Sequence, residues 1–349
     1  MDFNKFFFLI FFVCSFSGFL ISLLINDFYM EGNLHQNVMD NFKNNETNNN
    51  RENEEKKKKK IKIIEINNTV HVALNIDNNY IYPTIVFLTS LFENRKATTL
   101  YDITILTNNM NKSYFKKINS LKEKYGDKFV KIHFINMKND FDGVVTNTHI
   151  SATAYYRIAL PTVLPNVDRI IYTDVDVINF KDLTEMYNLE LKDNIYLKGI
   201  LDKIVLLSEL RDLGVNSTKY FNSGIILINL KSMRINGVEN RIRNFIYTHY
   251  LEHHDQTAMN AICYNNWEIL PLKYAVICLS EYWQLVEFYR NQDKKYIYNE
   301  GELGQGFYDS TLLHYAGMLK PWEKKYFNKK KRVNIGGIMQ KYLAIMMKF

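Results

Sequence analysis

From Thr69 onward the chain alternates short β-branched runs with longer amphipathic stretches. Val70–Leu74 reads as a first strand, Asp102–Thr107 as a second and Val130–Ile135 as a third, with helices over Ile85–Glu93 and Lys112–Tyr125 between them. Tyr155–Val163 reads as helical. The run Ile170–Ile178 reads as one strand carrying Asp174 and Asp176. Further strands fall at Ile195–Ile200, Ile225–Leu230 and Trp267–Leu270, and helices at Val238–Glu252 and Asp255–Cys263. Strands alternating with helices imply an α/β fold, a mostly parallel central sheet with helices on both faces.

Before Thr69 the pattern differs. Phe6–Ile25 is an almost unbroken apolar stretch, about the 20 residues that span a bilayer as a helix. It exceeds the usual h-region of a cleaved signal peptide and lacks a small-residue cleavage site, so it reads as an uncleaved signal anchor. Lys5 precedes the span, Asp27 and Glu31 follow it, and no Lys or Arg appears until Lys43. The positive-inside bias leaves the N-terminus in the cytosol and the remainder in a lumen. The expectation is a single-pass type II protein of the endoplasmic reticulum or Golgi membrane.

Glu31–Asn67 is rich in Asn and Lys, has no apolar period and cannot bury a core. The organisation expected is therefore a cytosolic tail (1–5), the anchor (6–25), a disordered stem (26–67), a catalytic domain (68–325) and a C-terminal basic and apolar segment (326–349). In that last segment Lys329-Lys330-Lys331-Arg332 precedes Ile335–Phe349, which suits either a membrane-surface segment or a docking helix.

The net charge of +7 comes with 47% hydrophobic residues over 349 positions, ample for one large domain or two small ones. The Lys56–Lys60 run is offset by nearby acids and reads as a solvated segment, not a nucleic-acid patch. The 3 cysteines make no disulfide framework; Cys263 and Cys278 either pair in an oxidising lumen or remain buried thiols. Sequons at Asn45, Asn67, Asn111 and Asn216 would be exposed to a lumenal glycosylation machinery.

The candidate chemistry centres on Asp174-Val175-Asp176. In an extended chain the two carboxylates project to one side and repel unless a cation lies between them. Hard oxygen ligands suit Mg²⁺ or Mn²⁺. The pair is equally consistent with two solvated acids at a strand end. A second copy, Asp140-Phe141-Asp142, sits in a loop-like stretch before Gly143. Ligands of open α/β sheets bind beyond the carboxyl ends of strands. Asp77 and the Asp174/Asp176 pair both fall at such ends, which places a turn and an acidic pair on one rim.

Other signals carry less. His249 and His253 have zinc-site spacing, but Tyr250 stands where the catalytic Glu would be, so a solvated helix face is the better reading. Gly301, Gly304 and Gly306 fit neither dinucleotide nor P-loop spacing.

Several blocks then occur in a recognisable order: Asp77-Asn78-Asn79-Tyr80, His149 to Arg157, Asp174-Val175-Asp176, Tyr220 to Leu230, Asp255-Gln256, and His314-Tyr315-Ala316-Gly317-Met318-Leu319-Lys320-Pro321-Trp322. Over roughly Thr69–Trp322 the chain resembles glycosyltransferase family 8, and looks closer to the bacterial lipopolysaccharide glucosyl- and galactosyltransferases than to glycogenin.

The resemblance implies a GT-A fold, a UDP-glucose or UDP-galactose donor and Mn²⁺, with Mg²⁺ as the alternative. Asp174, Asp176 and His314 would hold the metal. Asp77, Asn79, Tyr80, Arg157, Asp174, Val175, Asp202, Gly317 and Lys320 would line the UDP-sugar site. Gln256, Asp255, Asn222 and Arg157 would serve the reaction, Gln256 from the β face of the sugar. An amide is a poor nucleophile, so front-face attack is expected, with the departing phosphate oxygen taking the acceptor proton. The acceptor would be a glycan, glycoprotein or glycolipid. The competing readings are a non-catalytic UDP-sugar-binding membrane protein and a metal-dependent nucleotidyltransferase.

Overall fold

The computed structural model describes residues 65–138, 140–144, 152–202, 207–277, 298–299, 301–302, 306, 309–316 and 320. The apolar stretch 6–25, the stem up to residue 64, Gly317, Cys278 and the C-terminal basic segment lie outside the described residues. Among the described residues no helix is long and apolar enough to cross a membrane.

The strands are β1 (Asn68–Ile76), β2 (Thr99–Thr107), β3 (Val130–Asn136), β4 (Arg169–Thr173), β5 (Val177–Asn179), β6 (Leu197–Leu201), β7 (Phe221–Asn229), β8 (Trp267–Ile269), β9 (Ala275–Ile277) and β10 (Leu312–His314). The helices are α1 (Ile81–Glu93), α2 (Lys112–Tyr125), α3 (Leu160–Val163), α4 (Thr184–Tyr187), α5 (Leu207–Asp212), α6 (Leu230–Ile235), α7 (Val238–Thr248) and α8 (His254–Cys263), with 3-10 segments at Asn78–Tyr80 and Ala152–Ala159.

A 7-stranded sheet runs β3-β2-β1-β4-β7-β6-β8, beside a 3-stranded sheet β5-β10-β9. The ladders of β1 with β2 and β4, of β2 with β3 and of β6 with β8 are parallel; β7 lies antiparallel to β4 and β6. This is the mostly parallel sheet with flanking helices that the alternating pattern implies. Fully buried runs of β1, β2, β4 and β7 form the core, as expected for strands covered on both faces.

Local chemistry explains the boundaries. Asn111 caps α2 by accepting the Ser113 N–H at 3.0 Å, and Gly126 ends it at φ +89°. Helix α7 stops at Thr248, short of the expected Glu252. There the Thr248 hydroxyl bonds the Asn244 and Phe245 carbonyls, and His249 turns to φ −130°. Such back-bonding competes with the helical ladder. His249 and His253 therefore share no helix face: the His249 ring stacks on Phe245, while His253 meets Glu209 at 2.8 Å.

The run 170–178 is not one strand. It breaks at Asp174-Val175-Asp176, where the chain leaves the large sheet and enters the small one. Asp174 N–H still bonds the Gly224 carbonyl in β7, while the Asp176 carbonyl already accepts from Tyr315 N–H just past β10. The acids thus occupy the corner between two sheets. The other Asp-x-Asp is structural: both Asp140 oxygens accept from Arg243, at 2.8 and 2.9 Å. Cys263 is a buried free thiol.

Candidate active site

Strand pairing assembles the acidic corner. In the β4–β7 ladder Thr173 faces Ile225, so the next residue, Asp174, falls opposite Gly224. In the β5–β10 ladder Val177 faces His314, which brings the imidazole beside Asp176. His314 Nε2 lies 3.2 Å from Asp176 Oδ1 and 3.7 Å from Asp174 Oδ2. A histidine 138 positions from Asp176 in the numbering thus lies within ligand reach of both acids.

Each carboxylate uses its other oxygen elsewhere. Asp174 Oδ1 accepts from Arg157 Nη2 at 2.9 Å and from the Tyr172 hydroxyl at 2.8 Å. Asp176 Oδ2 accepts from Lys320 Nζ at 2.5 Å. What remains is Asp174 Oδ2, Asp176 Oδ1 and His314 Nε2. Asp176 Oδ1 is buried without a hydrogen-bond partner. A buried orphan oxygen is costly, and a cation relieves it. Two carboxylate oxygens and one imidazole nitrogen are a donor set that Mn²⁺ accepts, and the side chains of this chain fit such an ion.

Electrostatics points the same way. Burial pushes the Asp176 carboxyl up, but the His314 imidazole and the Lys320 ammonium outweigh it and hold the group well below the carboxylate range. Burial alone would lower Lys320; Asp176 reverses that and keeps it charged. Tyr80 lies within the field of Lys320, Asp176, Asp77 and Asp174, and burial pushes its phenol up. That ties the turn after β1 to the acidic corner. Asp77 itself caps the 3-10 turn, accepting the Asn79 N–H at 2.8 Å. Val175 is buried between the two acids.

A second cluster abuts the first. Asp202, just past β6, accepts from Asn222 Nδ2 at 2.8 Å and from Gln256 Nε2 at 3.2 Å. Gln256 Oε1 accepts the Ser223 N–H at 2.9 Å, and Asn222 Oδ1 accepts the Gly224 N–H at 2.9 Å. A bulge permits this. Gly199 of β6 pairs with Ile226, but Ile200 pairs with Asn222, so Ser223, Gly224 and Ile225 leave the β6 ladder. Bulges re-aim side chains in this way beside active sites.

Arg157 joins the clusters. Its Nε donates to the Ala154 carbonyl at 3.0 Å and lies 3.1 Å from Asp255 Oδ2. Its Nη1 donates to the Ser223 carbonyl and hydroxyl, and its Nη2 holds Asp174. Every guanidinium nitrogen is thus engaged by protein. Burial would lower Arg157, and the Asp174 and Asp255 charges reverse that. Asp255 is pushed up to about 6, mainly by burial, with Arg157 opposing and Asp174 adding. Asp255 and Gln256 open α8, after His254 at φ +51°.

Two participants escape a reading of the sequence. Gly224 lies so close to the corner that an added Cβ would meet His314 Cε1 at 2.2 Å and Asp174 Oδ2 at 2.7 Å. The order of the blocks quotes it, but only the fold reveals the approach. Tyr172 looks like core in the strand pattern, yet its hydroxyl reaches Asp174.

Comparison with known proteins agrees with this geometry. The family model described as "Glycosyl transferase family 8" matches residues 71–326. The chain belongs to glycosyltransferase family 8. General stress protein A of Bacillus subtilis is 25% identical over 261 residues, covering 72% of this chain and 87% of that protein. Lipopolysaccharide 1,2-glucosyltransferase of Escherichia coli is 25% identical over 262 residues, covering 73% of each. Among solved structures, the galactosyltransferase LgtC in complex with donor and acceptor sugar analogues superposes with a TM-score of 0.63 at 18% identity, covering 80% of this chain and 96% of that one. The fold is GT-A, and the protein is a glycosyltransferase. Membership sets aside both the non-catalytic and the nucleotidyltransferase readings.

Proposed function

We propose that this family 8 enzyme is a retaining hexosyltransferase that moves glucose or galactose from a UDP-sugar to a glycan, glycoprotein or glycolipid, with Mn²⁺. The observation that carries it is the convergence of Asp174, Asp176 and His314 with one unspent ligand atom each. The likeness to a lipopolysaccharide glucosyltransferase and to a galactosyltransferase favours those two sugars. A bound divalent ion would offset negative charge on the diphosphate.

The protein groups divide the remaining work. Asp77, Asn79 and Tyr80 receive the uridine, with Tyr80 offering a ring face. Lys320 adds a positive charge beside the diphosphate, and Gly317 is assigned to the same site from the family resemblance alone. Asp202 and Asn222 face the hexose, and Val175 shapes the floor between the acids. The acceptor oxygen bonds the anomeric carbon as the carbon–oxygen bond to the phosphate breaks on the same face. The hydroxyl proton passes to the departing phosphate oxygen. Gln256, fixed at both ends of its amide, sits on the opposite face and stabilises the cationic sugar, with Asp255 behind it.

The apolar segment 6–25 anchors the enzyme in an endoplasmic reticulum or Golgi membrane, with the catalytic domain in the lumen. That compartment supplies glycoprotein and glycolipid acceptors.

The test incubates the full chain with UDP-glucose or UDP-galactose, with Mn²⁺ or with chelator. Mn²⁺-dependent release of UDP, and an α-linked product, are expected. No UDP from either donor, or a β-linked product, would contradict the reading.

A further inference from the structure

The two acids of the corner are not held alike. Asp176 is held by the Lys320 ammonium, but Asp174 is gripped from within the core. Tyr172 is fully buried on β4, two residues before Asp174. Its hydroxyl donates to Asp174 Oδ1 at 2.8 Å. The Arg157 guanidinium lies 4.2 Å from the centre of the same ring and donates its Nη2 to the same oxygen at 2.9 Å. Two donors therefore saturate Oδ1 from the core side. Oδ2 alone faces His314 Nε2 and the orphaned Asp176 Oδ1.

This arrangement has a consequence for which ion the corner accepts. A small ion in an octahedral shell can be served by a single oxygen of a carboxylate. Calcium takes more oxygens and often both from one carboxylate. A carboxylate with one oxygen locked away offers little to calcium. We infer that Tyr172 is a positioning residue that sets metal selectivity: with Arg157 it locks Asp174 Oδ1, so that Asp174 presents a single oxygen to the corner and favours Mn²⁺ over Ca²⁺. This rests on the reading of the corner as a metal site.

The test measures Mn²⁺ and Ca²⁺ affinities of the full chain by calorimetry, without donor, for wild type and Tyr172→Phe, with Tm recorded for both. Loss of such supporting partners typically costs ~10–100-fold in metal affinity. Tyr172→Phe is expected to weaken Mn²⁺ about tenfold and to narrow the Mn²⁺/Ca²⁺ ratio. A merely structural role would lower Tm and weaken both ions alike, which would overturn the inference. So would an unchanged ratio. Should Tyr172→Phe fail to fold, Arg157→Lys keeps a buried cation but withdraws the Nη2 bond, and its ratio must narrow in the same direction. A wild type that binds no Mn²⁺ would instead overturn the functional reading itself.

Discussion

The backbone of Gly224 and the imidazole of His314 share one space: a single added methyl at Gly224 would lie 2.2 Å from the ring carbon Cε1. β7 can pass the acidic corner only as glycine at this point. The constraint is contact, not backbone angle, since Gly224 is not among the positive-φ residues.

Gly224→Ala is therefore expected to fold but to push His314 or Asp174 aside. A displacement of about 1 Å at a reacting centre can cost roughly a hundredfold in rate, and overpacking a core typically costs about 1–3 kcal/mol. Loss of Mn²⁺ binding and of UDP release, with Tm lowered by a few degrees, is the expected outcome. Calorimetry and a thermal scan check it; unchanged Mn²⁺ affinity would show that the close approach does not matter.

Arg157 is predicted to matter for stability as well as for the site. It is buried between Asp174 and Asp255, and removing it strands two acids. Breaking a buried pair from one side costs about 3–5 kcal/mol. Arg157→Met should lower unfolding free energy by that order in urea titrations at pH 7. A loss below about 1 kcal/mol, the range of exposed pairs, would mean that water reaches the acids.

Asp255 gives a pH signature. Its folded value is raised to about 6 from 3.8, so the folded chain binds the extra proton between those values. Stability from this group is fully present below pH 4 and is lost as pH rises through about 6. Relative to Asp255→Asn, the wild type should lose up to about 3 kcal/mol between pH 4 and pH 7. Urea unfolding of both proteins at several pH values measures the difference. A constant gap, or one that widens in favour of wild type with rising pH, would contradict the assignment.

Much of the frame was legible in the residues. Helix α2 matches its expected span because Asn111 and Gly126 mark its ends, and β1, β2 and β3 follow their β-branched runs. The short strands β9 and β10 were not legible, since three residues carry no period, and β5 was read as the end of the strand before it. The break at Asp174 depends on β7 and β10 competing for the backbone, a long-range effect that no local pattern encodes. The family blocks put Asp174, Asp176 and His314 on the list, and the ladders bring them together. The inward use of Arg157 and the reach of Tyr172 to Asp174 required the packed core. The helical reading through His249 and His253 failed because Thr248 diverts the carbonyls that would continue α7.

The most direct test is electron paramagnetic resonance of Mn²⁺ bound to the full chain, read for hyperfine coupling to nitrogen-14. With His314 Nε2 as a ligand, wild type should show coupling to one imidazole nitrogen, and His314→Gln should lose it while retaining its fold. Bound Mn²⁺ without any nitrogen coupling, or coupling that survives in His314→Gln, would contradict the account.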